Sequence, residues 1–558
     1  MSIRKYCSIV IITLLLGSIY SCQKENADLT EVEIVTNPVD TIGKVVFGKK
    51  LENPYSVKNM RIALESLKVK KMVKAEDVEL IEIMTTHLYV EIPTADNSNL
   101  DMFVQDTSLE LFNHPLDYDL PEEGSFYQDT SFTNYDPTWL YTVVPVDCDL
   151  TLINHRVLEE CFLPNYELKE TVEKNIVKAE LLQLLEYEAY LITGNLKDTN
   201  SYNTKSRQYP RGTITVQNTL GYPDGLKGVK IRVHNFMRVD SDITNEYGNY
   251  SISTGFLTGV HYAVIFKNSK DFKIWGNWAF IAPAHYYMGW HTSSGLDRLI
   301  KKSSGAWKWG SINNAIYAYY ELCNVFSIYK PPSDLRVWVF EKGDGTTKGS
   351  ASMLRRTYGF YGFNTGSIVN NLLNTINGVN ISLSATLNLL KFVQPDITIS
   401  VNSSNVESED VYNTTFHECA HASHWTKVGS YFWVQYINYI ITYGNSNNPY
   451  SNGLGYNAGY CGVGEMWGNY IGALFQRYHF SYTTPYSLDW WWFDEDEDWY
   501  NPGFLKNVDN ISDISTSEIF SCLSSNTNTI LKLVEQLKTK TAYVEQINFA
   551  YGLYTDWP

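Results

Sequence analysis

The residues of this chain with the clearest chemical potential are two histidines four positions apart, His417 and His421, with Glu418 next to the first. The surrounding stretch has the pattern of a helix, and residues four apart lie on one helix face because 3.6 residues complete a turn. Two imidazoles placed in this way can share one zinc ion, and the adjacent glutamate can poise a water molecule against it. The alternative is an ordinary helix with solvated histidines.

The sequence around these residues predicts the elements that would position them. Residues 396–401 alternate between polar and apolar side chains, which is typical of a strand. Residues 408–427 carry a broad apolar face, and Ser408 stands where an N-cap is expected. Glu409 and Asp410 would then lie in the first turn, where negative charge is favourable. We expect a strand that leads into the helix bearing both histidines.

A catalytic zinc usually has three protein ligands and one open position, so a further ligand is needed. His424 lies on the same stripe as His421, one turn further on, but the rise of a straight helix makes three ligands from it awkward. Glu465 is the better candidate, since residues 462–472 predict a second helix with glycines four apart. Such glycines let two helix backbones approach closely. The alternative is that Glu465 only caps this second helix.

This arrangement resembles the gluzincins, the thermolysin- and aminopeptidase-like zinc peptidases, which carry HExxH on one helix and a ligand glutamate on a later helix. The resemblance covers about residues 300–480 and rests on two short motifs. It implies that His417, His421 and Glu465 bind zinc and that Glu418 is the general base. One departure from the family is the spacing, because 43 residues separate His421 from Glu465, more than in thermolysin itself.

The same resemblance implies roles for residues near the ligands. Asn469 stands four residues after Glu465, where thermolysin-like enzymes use a carboxylate to orient a ligand histidine; an asparagine cannot supply that charge. His424 is a second candidate for a supporting contact. Tyr456 and Tyr460, in a Gly- and Asn-rich loop that runs towards the second helix, are candidates for the group that holds the oxyanion.

The N-terminus has the pattern of an exported lipoprotein. Arg4 and Lys5 precede an apolar run at 7–16 that is too short to span a bilayer, and Cys22 follows in the order of a lipobox. The tyrosine at position 20 departs from the preferred lipobox residues, and an ordinary cleaved signal peptide is the alternative. We expect lipid on Cys22 to attach the protein to the outer membrane or cell surface of a Gram-negative bacterium, or to its periplasmic face.

The composition argues against one class of partner. The formal net charge is −17 over 558 residues and no basic block occurs, so we expect no binding to nucleic acid. Aromatic residues make up 14% of the chain, which suits a large core as well as surfaces that bind peptides or carbohydrates.

The chain is too long for one hydrophobic core, so we expect a multidomain α+β protein with three or more units. Short strands at regular spacing, with Gly248 in a turn before an aromatic strand, resemble the carboxypeptidase regulatory-like (transthyretin-like) β-sandwich, a spacer or binding module. The expected divisions are a lipoprotein signal peptide at 1–21, a tether at 22–35, a mixed α/β N-terminal region of unknown role at 36–200, the small β-sandwich at 210–268, and a mainly helical, zincin-like metallopeptidase domain at 269–558.

These patterns predict a lipid-anchored zinc metallohydrolase, with a peptidase acting on a peptide or protein substrate as the preferred interpretation. The rival hypothesis is a non-catalytic surface lipoprotein that binds a glycan or a protein and carries a vestigial zincin domain. No set of residues that would clamp a free chain terminus is evident, so the sequence does not distinguish an endopeptidase from an exopeptidase.

Overall fold

The structure of the chain is a computed structural model, and all the residues that it describes belong to one compact unit, Ile42–Pro558. The described residues are 47–79, 81–94, 109–120, 123–124, 139–165, 173–196, 207–276, 283–341, 347–357, 395–445, 448–481, 498–511 and 513–554. The predicted signal peptide, the tether and the lipidation site Cys22 lie outside these residues. None of the described helices combines the length and the apolar character needed to cross a bilayer.

In its described residues, the N-terminal region combines three helices with a small antiparallel sheet. Its elements are α1 (Val57–Val69), α2 (Ala75–Val78), β1 (His87–Ile92), β2 (Leu140–Pro145), β3 (Arg156–Cys161) and α3 (Glu173–Ile192). The strand order is β2-β1-β3. Met60 of α1 and Leu185 of α3 lie in a common core, which also takes in Phe236 and Met237 from a later hairpin. The N-terminal region therefore packs against the chain that follows it.

Twelve further strands within the described residues form two sheets. They are β4 (Arg211–Val216), β5 (Asp224–Gly225), β6 (Val229–Asn235), β7 (Arg238–Ile243), β8 (Asn249–Ser251), β9 (Val260–Asn268), β10 (Phe272–Trp275), β11 (His285–His291), β12 (Arg298–Ile300), β13 (Leu335–Glu341), β14 (Lys348–Ser350) and β15 (Ile397–Val401). The smaller sheet has the order β12-β4-β5, with β8 also paired to β4. The larger sheet has the order β14-β15-β13-β10-β9-β6-β7, with β11 also paired to β9.

The larger sheet crosses the division that the sequence predicted at residues 268 and 269. β10 pairs in parallel with β13, which pairs in parallel with β15, while β10 also pairs with β9 in antiparallel fashion. One hydrophobic cluster likewise extends from Ile214 to Tyr554. The strands assigned to the small β-sandwich thus share a sheet and a core with the segment that carries the two histidines. The mixed helix and sheet content agrees with the α+β class expected from the sequence.

Nine more helices within the described residues complete the fold. They are α4 (Trp307–Val325), α5 (Leu354–Thr357), α6 (Ser408–Val428), α7 (Ser430–Tyr443), α8 (Ala458–Phe480), α9 (Gly503–Asp509), α10 (Thr516–Cys522), α11 (Ile530–Lys538) and α12 (Val544–Gly552). The strand β15 leads into α6, as the alternating and helical patterns predicted, and α6 packs against α4, α8 and β15.

The predicted N-cap of α6 is wrong by one residue. Glu407 is the N-cap, and its backbone N–H donates to the Asp410 carboxylate at 2.8 Å in a capping box. Ser408 is the first helical residue, and its hydroxyl instead accepts from the backbone N–H of Thr219 at 3.0 Å. The Ser408 side chain, which the local sequence predicted as the cap, therefore forms a tertiary hydrogen bond with a distant loop instead.

Four of the 11 histidines are buried between the larger sheet and a segment of the N-terminal region. The rings of His234 and His261, which face each other on β6 and β9, have centroids 4.8 Å apart, and His114 lies 6.1 Å from His234. Burial lowers the pKa of all four histidines, and it lowers that of His261 and His285 to about 3. The positive charge of Arg232 lowers the pKa of His114, His234 and His285 further. The folded protein therefore holds these imidazoles in their neutral form.

Acid should destabilise the fold through this histidine cluster. A histidine in the unfolded chain takes up its proton near pH 6.5, whereas folded His261 does so only near pH 3, so stability is lost as the pH falls below 6.5. For His261 alone we expect a loss of about 2 kcal/mol between pH 7 and pH 5. Urea unfolding at the two pH values measures the loss, which should be smaller in His261→Phe than in the wild type. His155→Phe, at a partly exposed position, should keep the wild-type loss, and equal losses in all three proteins would contradict the prediction.

Candidate metal centre

The site lies where α6 and α8 cross, and glycines make that crossing close. A Cβ atom at Gly468 would lie 2.7 Å from Cε1 of His421 and 3.0 Å from Cε1 of His417. At Gly472 a Cβ would lie 3.3 Å from the Cβ of His417. Trp467 links the two helices, since its indole N–H donates to a backbone carbonyl of α6 at 3.2 Å. Side chains larger than glycine would therefore force the helices apart at the imidazoles.

The crossing brings together the three residues that the sequence proposed as ligands. The Nε2 atoms of His417 and His421 are 2.9 Å apart. Oε2 of Glu465 lies 3.3 Å from Nε2 of His417, and its Oε1 lies 3.5 Å from Nε2 of His421. Among the described residues, this is the only group of three or more His, Cys, Asp or Glu side chains whose donor atoms could surround one metal ion. Two imidazoles and one carboxylate form a donor set typical of catalytic zinc.

The position of Glu465 within α8 excludes the capping interpretation. The helix begins at Ala458, so Glu465 lies about two turns inside it and is fully buried. Its Oε2 atom has no hydrogen-bond partner, which is costly for a buried carboxylate oxygen unless a cation lies against it. Burial alone raises the pKa of Glu465, but His421 and His417 outweigh that effect and hold the pKa of the carboxyl well below its usual range. The three side chains therefore fit a divalent metal.

Glu418 lies beside the ligands and under the edge strand β14. Its side chain is buried, and its Oε2 atom has no hydrogen-bond partner. Burial raises its pKa to about 8; the charge of Glu465 also raises it, while His417 and a hydrogen bond from the backbone of Ala351 lower it. A Cβ at Gly349 of β14 would overlap the Glu418 carboxylate, so the strand approaches this side chain closely. Glu418 is thus a buried carboxylate suited to taking up a proton.

Two tyrosines near the site were missed by the sequence analysis. The hydroxyl of Tyr436, on α7, donates a hydrogen bond to Oε1 of Glu465. The pKa of Tyr450 is raised by burial and then by negative charges that include those of Glu465 and Glu418. Its backbone carbonyl accepts from the hydroxyl of Tyr439 at 3.1 Å. With 41 tyrosines in the chain, no local signal distinguishes these two.

The two tyrosines that the sequence favoured are engaged elsewhere. Tyr456 is 77% exposed, and its backbone N–H donates to the hydroxyl of Tyr443 at 3.3 Å. The hydroxyl of Tyr460 accepts from the side-chain amide of Asn528 at 2.8 Å. The structure shows no contact of either hydroxyl with the three candidate ligands among its described residues.

The two supporting residues suggested by the sequence also have other surroundings. The side-chain amide of Asn469 donates to the backbone carbonyl of Glu465 at 2.9 Å, while Nδ1 of His421 is buried without a partner. Asn469 therefore does not orient the His421 ring. His424 is fully buried and packs against Phe432, with ring centroids 4.8 Å apart, and burial lowers its pKa to about 3. It is a core residue next to the candidate metal centre.

Comparison with known proteins adds little to this geometry. No known protein family matches the sequence, and no curated protein matches it either. A weak likeness exists to the crystal structure of (S)-allantoin synthase, with 12% sequence identity and a TM-score of 0.13. The overlap covers 26% of this chain and 60% of that one. A likeness of this size supports no conclusion about fold or function.

Replacing Gly468 by alanine tests the geometry of the crossing. Because the new Cβ would lie 2.7 Å from the His421 ring, we expect the affinity for a divalent metal to fall by roughly tenfold to a hundredfold, as for other disturbances next to ligands. Gly472→Ala, where the nearest clearance is 3.3 Å, should have a smaller effect. Competition with a chromophoric chelator measures both affinities. Equal metal affinity in Gly468→Ala and the wild type would contradict the proposed arrangement.

Proposed function

We propose that this chain is a zinc metallohydrolase, with peptides as its substrate class and a zincin-like arrangement of sheet and helices. The observation that carries the proposal is the meeting of His417, His421 and Glu465 at one point, with the buried carboxylate of Glu418 beside them. Two histidines and one glutamate leave a fourth position of a tetrahedral zinc open, which suits catalysis better than a closed structural site.

Each residue would have a distinct task. His417, His421 and Glu465 would hold zinc, which at such sites polarises a carbonyl and lowers the pKa of water to about 7. Glu418 would take a proton from the attacking water and pass it to the leaving amine, as a general base and then a general acid. A buried carboxyl with a raised pKa suits this task, because it can both accept and return a proton near neutral pH. Tyr450 would donate a hydrogen bond to the oxyanion.

The edge strand supports a peptide as the substrate. In the described part of the chain β14 ends the larger sheet, where it pairs with β15 in antiparallel fashion. An extended peptide can add to such an edge through main-chain hydrogen bonds. Gly349 of β14 lies against Glu418, so a peptide bound there would pass close to the proposed base. The absence of a side chain at Gly349 is what allows this close approach.

The location of the protein is proposed from residues outside the described part. We propose that Cys22 carries lipid and that a polar tether holds the catalytic part at the outer membrane or cell surface. Peptides or proteins outside the cell would then be the accessible substrates, and the net charge of −17 disfavours nucleic acid as a partner.

Zinc content and peptide hydrolysis together test the function. In purified protein that begins after Cys22, we expect about one zinc per chain by metal mass spectrometry, as the three-donor site in the described part of the chain implies. Glu418→Gln should keep the zinc and lose roughly a hundredfold to ten-thousandfold of kcat on a peptide library, because the proton acceptor is gone. Glu465→Ala should lose the zinc itself.

The outcomes separate the proposal from its rival. Zinc bound at the site together with no hydrolysis of a broad peptide library would favour the surface binding protein with a vestigial site. Wild-type hydrolysis that is unchanged in Glu418→Gln would exclude the assigned mechanism. Protein that binds no zinc even after refolding with the metal would overturn the function as a whole.

Tyr450→Phe tests the assignment of the oxyanion group. Because the charges of Glu465 and Glu418 act on its hydroxyl, we expect loss of that hydroxyl to lower kcat about a hundredfold with little change in KM. Tyr456→Phe is the matched control, and it should retain the wild-type kcat because that side chain is 77% exposed and its hydroxyl shows no contact with the ligands in the described structure. A larger loss of kcat in Tyr456→Phe than in Tyr450→Phe would reverse the assignment.

A further inference from the structure

The Tyr436 side chain is buried against a ligand of the candidate metal centre. It is 5% exposed, and its hydroxyl donates to Oε1 of Glu465, which is fully buried. The residue comes from α7, the helix between the two that supply the ligands. A third helix therefore contacts the ligand carboxylate from a direction that neither α6 nor α8 provides.

The ring of Tyr436 has little freedom to move. It packs edge-on against Trp433, with centroids 4.5 Å apart, and lies 5.9 Å from the His421 ring. It also meets Gly464 of α8, where a Cβ would lie 3.1 Å from the ring edge. The missing side chain at Gly464 is thus what lets the ring reach Glu465.

The two oxygens of Glu465 consequently differ. Oε1 already accepts a hydrogen bond from Tyr436, whereas Oε2 is buried without a hydrogen-bond partner and lies 3.3 Å from Nε2 of His417. We propose that Tyr436 is a positioning residue that makes Glu465 a one-oxygen metal ligand through Oε2. This inference rests on the proposed function, and it deepens it. A glutamate that offered both oxygens would fill the coordination position that water and substrate need.

Zinc affinity and coordination in Tyr436→Phe test the inference. Removing the hydroxyl should weaken zinc binding by roughly tenfold to a hundredfold, the range found for partners that orient metal ligands. Chelator competition measures this affinity without any assay of activity. Cobalt substitution reports the geometry, since visible absorption weakens as the coordination number rises above four. We expect weaker cobalt absorption in Tyr436→Phe than in the wild type, because both carboxylate oxygens become available.

Two further variants keep the result interpretable. Tyr319→Phe is the matched control, because Tyr319 is also buried and its hydroxyl donates to the Ser423 hydroxyl of α6 at 2.9 Å instead of to a candidate ligand. It should bind zinc with wild-type affinity. Gly464→Ala pushes the Tyr436 ring without removing a polar group, and it should weaken zinc binding severalfold even if Tyr436→Phe fails to fold.

The results distinguish this inference from the function on which it rests. Wild-type protein that binds zinc, together with Tyr436→Phe and Gly464→Ala variants that bind it within twofold of wild type, would overturn the positioning role alone. Equal losses in Tyr319→Phe and Tyr436→Phe would also overturn it, because a general loss of packing would then explain both. Wild-type protein that binds no zinc would overturn the proposed function and this inference with it.

Discussion

The site depends on one packing constraint, the close crossing of α6 and α8. Imidazole and carboxylate side chains are short, so their donor atoms meet only if the two helix backbones nearly touch. Three glycines of α8, at 464, 468 and 472, cost roughly 3 kcal/mol in helix propensity. Burial of Met466, Trp467 and Tyr470 in the same helix offsets this, at about 1.5–3 kcal/mol for each large apolar side chain. Packing thus stabilises a helix whose sequence alone would disfavour it.

The parts of the site that could be predicted are those encoded in local periodicity. The spacing of His417 and His421 identifies one helix face, and the glycine spacing around Glu465 identifies a helix built for close contact. The strand expected at 396–401 and the helix expected at 408–427 correspond to β15 and α6 within a residue or so. Predictions from such local patterns hold in the folded structure because the residues that form each element are also the candidate functional residues.

The rest of the site depends on contacts between residues far apart in the chain. Tyr436 and Tyr450 belong to a helix and a loop whose approach to Glu465 is set by how three helices pack, and nothing in their neighbourhood distinguishes them from other tyrosines. Ser408 lost its expected capping role to Glu407 because Thr219 occupies its hydroxyl. Local sequence patterns also could not predict the sheet pairing across residues 268 and 269, because the partner of each strand depends on contacts throughout the fold.

That shared sheet limits how this protein could have been assembled from ancestral pieces. A fragment beginning at residue 269 would carry α6 and α8 but would lack β6, β7 and β9, and the apolar side chains of β10 and α4 that pack beside them would face water. The candidate metal centre therefore could not be moved into another protein without the strands that precede it. A gene fusion at that junction would give a protein that lacks part of its hydrophobic core and could not fold without a new one. The two segments are therefore expected to be inherited together.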